Sequence, residues 1–410
     1  MSSISKLKSL NFRRPTRSRV VIFDTYSTRH IIPVLPDIQY AEFDTSLATI
    51  NFWIALYSVR YGKPSLNTYA KAFIRLSGAS LVITTIDNSP VVYQLKQDLR
   101  RVRVIVIQNG RRSTFGRLPN TSFVDELTKA SRTSPNAVDN YFTFGTTEEA
   151  QFSSLIKCRY SPIGSIKNNY FSPNLQSRVR PLLSYISSFP NFDDNPDGTV
   201  FSDEPYLYFE SKPISFRNYF EAELVVASWL EKFCELKSID FQIVGKRSFR
   251  TWQEQSFFRS AVPGNWTFIS CEGEFDSYAS LTESTYVASV DSTLAYEMFG
   301  RGLRTMFFTI RSEFTNSPGL QCTRFGYPAL AGQTGPMWTN DYKTSEFQRV
   351  ADFVTSCSDD EWTKVVNAFS PEVMRFDPYN LTLARTISEY LNLPCRTTDE
   401  IAASVRRIYG

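Results

Sequence analysis

The residues best placed to do chemistry lie in Asp291-Ser292-Thr293. The β-branched run Tyr286–Val290 precedes them and Leu294-Ala-Tyr-Glu297 follows. Gly300 and Gly302 then stop a helix, before the apolar run Arg304–Phe308. The pattern reads as strand, tight turn, helix, glycine stop and strand. A helix that opens on Ser-Thr presents unbonded backbone N–H groups, two hydroxyls and the positive end of its dipole, which together suit a phosphate. The plainer role is that Asp291 or Ser292 simply caps the helix.

Ligands of open α/β sheets bind beyond the carboxyl ends of the strands. In the first half those ends carry Asp87-Asn88, Gln108-Asn109-Gly110-Arg111, Gly145-Thr146-Thr147 and the Gly164–Asn169 turn with Lys167 and Asn168. In the second half they carry Gly245-Lys246-Arg247, Glu272-Gly273-Glu274 and Asp291-Ser292-Thr293. Each alone is an ordinary turn. Seven polar tips on apolar strands describe a cleft between two domains. Asp87 is placed to act as base or nucleophile, or to shape the strand end as an Asx turn.

Composition removes whole classes of mechanism. Among 410 residues there is one histidine, His30. A His pair, a His-metal cluster or a Ser-His-Asp triad would have to use it or fail. Six cysteines without C-x-x-C spacing suit reduced thiols of a cytoplasmic protein. No apolar run approaches the ~18 residues of a membrane span. A net charge of +4 is weak evidence for a polyanion, and no nucleic-acid partner is expected. Lys6, Lys8, Arg13, Arg14, Arg17 and Arg19 precede Val20 with no acid among them. That basic tail is either solvated or rests on an anionic membrane surface, making the protein cytoplasmic or peripheral at the inner face.

The elements that must position these residues alternate strand and helix twice over. Val20–Asp24, Leu81–Ile86, Val102–Ile107 and Tyr141–Phe144 read as buried parallel strands, with helices over 47–61 and 66–77. The second half restarts at Tyr206–Glu210, with a helix over 216–236, strands at 240–244, 267–270, 286–290 and 304–308, and four closing helices. The expected division is a basic tail (1–19), a Rossmann-like N-terminal domain (20–172), a linker (173–204), a second Rossmann-like domain (205–375) and C-terminal helices (376–410). Asp193–Glu204 matches the calcium-loop pattern, with Asp193, Asn195, Asp197 and Glu204 as ligands. Pro190 and Pro205 flank it where the pattern wants helices, so a hinge is preferred. No cofactor is expected to be required, and Ca²⁺ is the minor alternative.

Two such domains, with the nucleotide on the second, resemble a GT-B glycosyltransferase: an α/β fold of two Rossmann-like domains facing across a cleft, with C-terminal helices. Ile107-Gln-Asn-Gly-Arg111, Tyr141-Phe-Thr-Phe-Gly145, Gly164-Ser-Ile-Lys-Asn-Asn169, Ser292-Thr-Leu-Ala-Tyr-Glu297 and Phe325-Gly-Tyr-Pro328 are similar to a family of bacterial surface-carbohydrate biosynthesis transferases. The likeness runs from about Val20 to about Tyr379. Among GT-B enzymes that use CMP-sugars, one sialyltransferase family binds phosphate with a Ser-Ser or Ser-Thr pair. It binds ribose with a glutamate about one strand earlier and uses a first-domain Asp as base. That resemblance implies that the first domain is the acceptor and catalytic domain and the second the nucleotide-sugar domain. By it Ser292 and Thr293 hold phosphate, Glu274 holds ribose and Asp87 is the base, with Glu274 its catalytic rival. Where that family places a histidine, this chain has Lys246-Arg247, a cationic pair able to neutralise a leaving phosphate.

Gln108, Asn109, Arg111, Lys167 and Asn168 would line the sugar or acceptor side. The implied activity is transfer from a nucleotide sugar, with a CMP-ulosonic acid such as Kdo favoured, to a surface glycan or glycolipid. The alternatives are a nucleotide-sugar 2-epimerase, a polyol phosphate transferase, or a non-catalytic nucleotide- or sugar-binding module. The first two rely on histidines, which count against them here.

Overall fold

The computed structural model describes residues 9–112, 114–171, 180–189, 203–246, 251–315, 323–332 and 334–409. The chain forms two compact units: residues 1–112, 126–170 and 377–410 in the first, 113–125 and 171–376 in the second.

Strands are numbered along the chain. Those of the first unit are β1 (Ser9–Asn11), β2 (Val20–Phe23), β3 (Tyr40–Phe43), β4 (Thr49–Asn51), β5 (Leu81–Thr84), β6 (Arg103–Ile107), β8 (Ala137–Thr143) and β9 (Lys157–Pro162); β7 (Phe115–Gly116) belongs to the second unit. Six of them make a parallel sheet in the order β3-β2-β5-β6-β8-β9. Val20-Val-Ile-Phe23 and Leu81-Val-Ile-Thr84 are buried throughout, as a sheet covered on both faces requires. The order reverses between β2 and β5, so the switch point of the sheet lies where Asp24 and Thr85–Asp87 emerge. The helices Leu381–Leu391 and Thr398–Tyr409 return to this unit and pack Leu383, Ile387, Leu391 and Ile401 against Val20, Ile22, Leu81 and Ile83. His30 is buried among them, its Nδ1 2.6 Å from the Tyr409 hydroxyl.

The second unit has β10 (Leu182–Ile186), β11 (Pro205–Phe209), β12 (Lys212–Ser215), β13 (Asp240–Val244), β14 (Thr267–Ile269), β15 (Tyr286–Ser289), β16 (Arg304–Phe308) and β17 (Trp338–Thr339). Its main sheet runs β14-β13-β10-β15-β16-β17, all parallel, the 3-2-1-4-5-6 order of a dinucleotide-binding fold. The switch point is between β10 and β15.

Four expectations change. The segment 173–204 is not all linker, because Leu182-Leu-Ser-Tyr-Ile186 is a buried strand at the centre of the second sheet. The surrounding prolines hid a five-residue apolar run that needs only its neighbours to be a strand. Tyr206–Glu210 does not start the main sheet; β11 lies in a separate antiparallel sheet, ordered β12-β11-β7. The helix expected over 47–61 is the strand β4 followed by a short helix, Phe52–Ser58, capped by Asn51. Finally, the N-terminal segment is not a free tail from Ser9 onward, since β1 pairs in parallel with β4.

Candidate active site

In the second unit three elements converge at the switch point. β15 ends in Ser289, whose hydroxyl donates to the Ile186 carbonyl at the end of β10 (3.0 Å) and accepts from the Ser292 amide (3.0 Å). This ties the start of the helix Thr293–Gly300 to the central strand. Ser292 occupies the N-cap in an extended conformation without a side-chain cap bond, and Ser292 and Thr293 are both half-buried. Their hydroxyls therefore stand at a helix N-terminus without being spent on the cap. Glu297, one turn on, is buried and accepts from Tyr278 Oη (2.6 Å).

Asp291 is more than a cap. Both its oxygens are held by Arg311, Nε at 2.9 Å and Nη2 at 3.0 Å. Arg311 is fully buried, three residues past β16. It also donates to Glu223, to the Ser188 hydroxyl and to the Tyr219 carbonyl, and it lies over the Tyr219 ring at 4.3 Å. Burial weakens the guanidinium charge, but Asp291, Tyr219 and Glu223 more than offset this and hold its pKa well above the ordinary value. Glu223, on the helix Phe216–Lys237, also accepts from Tyr185 Oη (2.5 Å). Arg311 thus offsets the charge of Asp291, a carboxylate that would otherwise repel an anion from this helix N-terminus.

Lys246 follows β13 by two residues and is exposed. Packing around it lowers its ammonium pKa, opposed by the nearby carboxylates of Glu254, Asp291 and Glu223. The fold thus brings the loops after β13 and β15 together across the end of β10. The Lys246 amide donates to Glu254 Oε1 (3.0 Å). Gly245 must lack a side chain, because a Cβ there would lie 2.5 Å from the Phe268 ring and 3.1 Å from Glu254 Oε2. Glu274, half-buried, lies beyond the edge strand β14, three strands along the sheet from β15. Arg247, Asp193, Asn195 and Asp197 lie outside the described residues. Glu204 is exposed, and no metal-binding cluster occurs among the described residues.

Glu254 is buried, and that burial pushes its pKa up to about 7, against hydrogen bonds from Ser187 and the Lys246 amide. A carboxyl raised this way favours the folded state while protonated. That contribution is complete below the unfolded value of about 4.5 and is lost as pH rises through about 7. Holding the proton on Glu254 across that window corresponds to about 3 kcal/mol. In urea unfolding at pH 5 and pH 8, the wild type should therefore lose about 2–3 kcal/mol more than Glu254→Gln; parallel losses would refute the assignment.

In the first unit Asp87 is sealed from solvent. Arg112 Nε donates to Oδ2 at 2.9 Å, Arg112 Nη2 to Oδ1, and the Tyr141 hydroxyl lies 3.3 Å from Oδ2. Tyr93 Oη donates to its carbonyl (2.7 Å). This is not the geometry of a base open to an acceptor hydroxyl; Asp87 holds Arg112 in place. Gln108 is likewise buried and acts as a tie, its Oε1 accepting from the Phe144 amide at 2.7 Å. Beside it Glu148 is buried, and its pKa is raised by burial against the Gln108 hydrogen bond and the Arg111 charge. Asn109 is exposed and Arg111 half-buried. Lys167 reaches the Tyr26 hydroxyl (3.2 Å), while Asn168 is fully buried.

Sequence reasoning missed Arg311, Glu223, Glu254 and Arg112. Arg311 carried a signal, since it too follows a strand end. Glu223 and Glu254 sit inside helices, where only the fold reveals what they face.

Two Rossmann-like units, the second with a helix N-terminus at its switch point, define a GT-B-like α/β protein. The family described as "putative O-antigen biosynthesis protein" matches residues 105–391, and the chain belongs to it. No curated protein matches its sequence. Among solved structures it is similar to a "putative UDP-N-acetylglucosamine 2-epimerase from Listeria monocytogenes" (TM-score 0.50, 11% identity, 94% of this chain and 98% of that one). It is also similar to S. aureus MnaA in complex with UDP (TM-score 0.49, 11% identity, 94% and 98%) and to the wall teichoic acid polymerase TagF (TM-score 0.46, 13% identity, 96% and 90%). At such identities the likeness speaks for the fold alone.

Proposed function

We propose that the chain is a glycosyltransferase of surface-glycan synthesis that binds the phosphate of a nucleotide sugar at the Ser292-Thr293 helix start. The observation that carries this reading is the pair of half-buried hydroxyls at a helix N-terminus on the sheet's switch point, with Lys246 close enough to the preceding Asp291 to feel its charge. First-turn amides and the helix dipole favour a diphosphate or monophosphate there, and the same groups offset the charge that grows on the leaving phosphate. With Asp87 sealed behind Arg112, the acid–base role passes in this reading to its rival carboxylate Glu274. Asn109, Arg111 and Lys167 serve the sugar or acceptor. Transfer is preferred to epimerisation or polyol-phosphate chemistry, because the sole histidine is packed against Tyr409 and Tyr26. The donor in this reading is a CMP-ulosonic acid such as Kdo, and the acceptor a glycan or glycolipid. No helix among the described residues is long and apolar enough to cross a membrane.

The experiment is a thermal-shift panel of CMP, UDP, GDP and CDP. A bound nucleotide at ~100 times its Kd stabilises by about 2.7 kcal/mol, or about 5–10 °C for a unit of this size. CMP should stand out. A shift with UDP alone would replace the base and keep the phosphate site, whereas no shift with any of the four would overturn the proposal.

A further inference from the structure

We propose that the first unit carries a docking face for an anionic lipid bilayer, formed by β1, the residues just after it, and the helix Phe52–Ser58. Eleven large apolar side chains are exposed among the described residues, and six of them gather here: Leu10, Phe12, Phe52, Trp53, Leu56 and Val59. Phe12 is 62% exposed and Val59 66%. Single exposed apolar residues are ordinary, but a cluster of this kind marks a surface that is covered in use.

The cluster is built and held. Positions 52, 53, 56 and 59 share one side of the helix and its following turn, while Ile54 and Ser58 face inward and are buried. Trp53 Nε1 donates to the Phe12 carbonyl (2.7 Å), and Asn51 Nδ2 donates to the Arg13 carbonyl (2.6 Å). The Phe12 and Phe52 rings lie 5.5 Å apart. These bonds clip the N-terminal strand to the helix, so the aromatic rings are presented together.

The charge around the cluster selects the occupant. Arg13, Arg14, Arg17, Arg60 and Lys63 are all exposed, Arg14 lies over Trp53 at 5.8 Å, and Arg60 lies over Tyr57 at 4.6 Å. Residues 1–23 and 45–86 contain no aspartate or glutamate. Aromatic and aliphatic side chains ringed by arginines match the boundary between acyl chains and anionic headgroups. Each basic charge near such a surface strengthens attachment by about fivefold. A second copy on a two-fold axis would instead set these arginines against their own equivalents. The face belongs to the first unit and does not depend on the nucleotide reading of the second.

The test is sedimentation of the full chain with vesicles of phosphatidylcholine alone or with phosphatidylglycerol added, at low and high salt. The wild type should partition to the anionic vesicles, less so at high salt, and poorly to the neutral ones. Leu56→Asp with Val59→Asp, and separately Arg14→Gln with Arg60→Gln, should each weaken partition by about tenfold or more while the melting temperature stays put. Absence of binding to anionic vesicles, or equal binding by wild type and both variants, overturns the proposal. So does a wild-type dimer that the aspartate variant dissociates without any vesicle binding. Nucleotide affinity measured on the same variants should be unchanged, which keeps a failure here distinct from a failure of the proposed function.

Discussion

Arg311→Met should destabilise the second unit by about 5 kcal/mol, the upper end of what removing one partner from a buried ion pair costs. The side chain is fully buried and serves two carboxylates at once. Methionine fills most of the volume but leaves Glu223 with no cation and Asp291 with both oxygens released. Glu223 would then have to take up a proton, and the loop that starts the Ser292 helix would lose its anchor to β16. Arg311→Lys should fall between, because an ammonium supplies charge but not a planar fork that reaches Asp291, Ser188 and Glu223 together. Urea unfolding followed by intrinsic fluorescence reads the effect. A loss under about 1 kcal/mol would mean that the cluster contributes little to holding the switch point.

Asp87→Asn should cost about 3 kcal/mol of stability in the first unit, the lower end of the same range, because Arg112 keeps some contact with water. The amide can accept one hydrogen bond from Arg112 but cannot balance its charge. Nucleotide affinity should barely change. The base reading of Asp87 makes the opposite forecast, in which stability is kept and turnover falls by ~10³. Melting temperature and turnover measured on one preparation separate the two. Stability preserved with activity abolished would return the catalytic role to Asp87.

Much of the fold was legible because buried parallel strands announce themselves as apolar runs. Val20–Phe23, Asp240–Val244 and Arg304–Phe308 form where the runs place them, and the helices Leu66–Ser77 and Phe216–Lys237 follow their caps, Ser65 and Ser215. β10 was lost because proline and asparagine on either side outweighed five residues of strand. β4 was lost because Thr49–Asn51 runs straight into a helix, and three residues carry no period. The site was half legible for a similar reason. Strand-end residues such as Ser292 and Lys246 can be found by knowing where strands stop. What can't be found that way is which of them end up sealed. Asp87 and Gln108 look like ligand groups in sequence, and each is instead closed off by a partner, Arg112 25 residues away for one and the Phe144 amide for the other. Glu223 and Glu254 look like solvated helix charges, yet both are buried against the switch point.

The most direct test of the account is calorimetric titration of the nucleotide picked out by the thermal-shift panel into wild type and into Ser292→Ala with Thr293→Val. Hydrogen bonds to a charged group are worth about 1.5–3 kcal/mol each, so loss of both hydroxyls should weaken binding by about 10²-fold or more, with the melting temperature of the free protein unchanged. Equal affinities for the two proteins would contradict the placement of the nucleotide phosphate at this helix start.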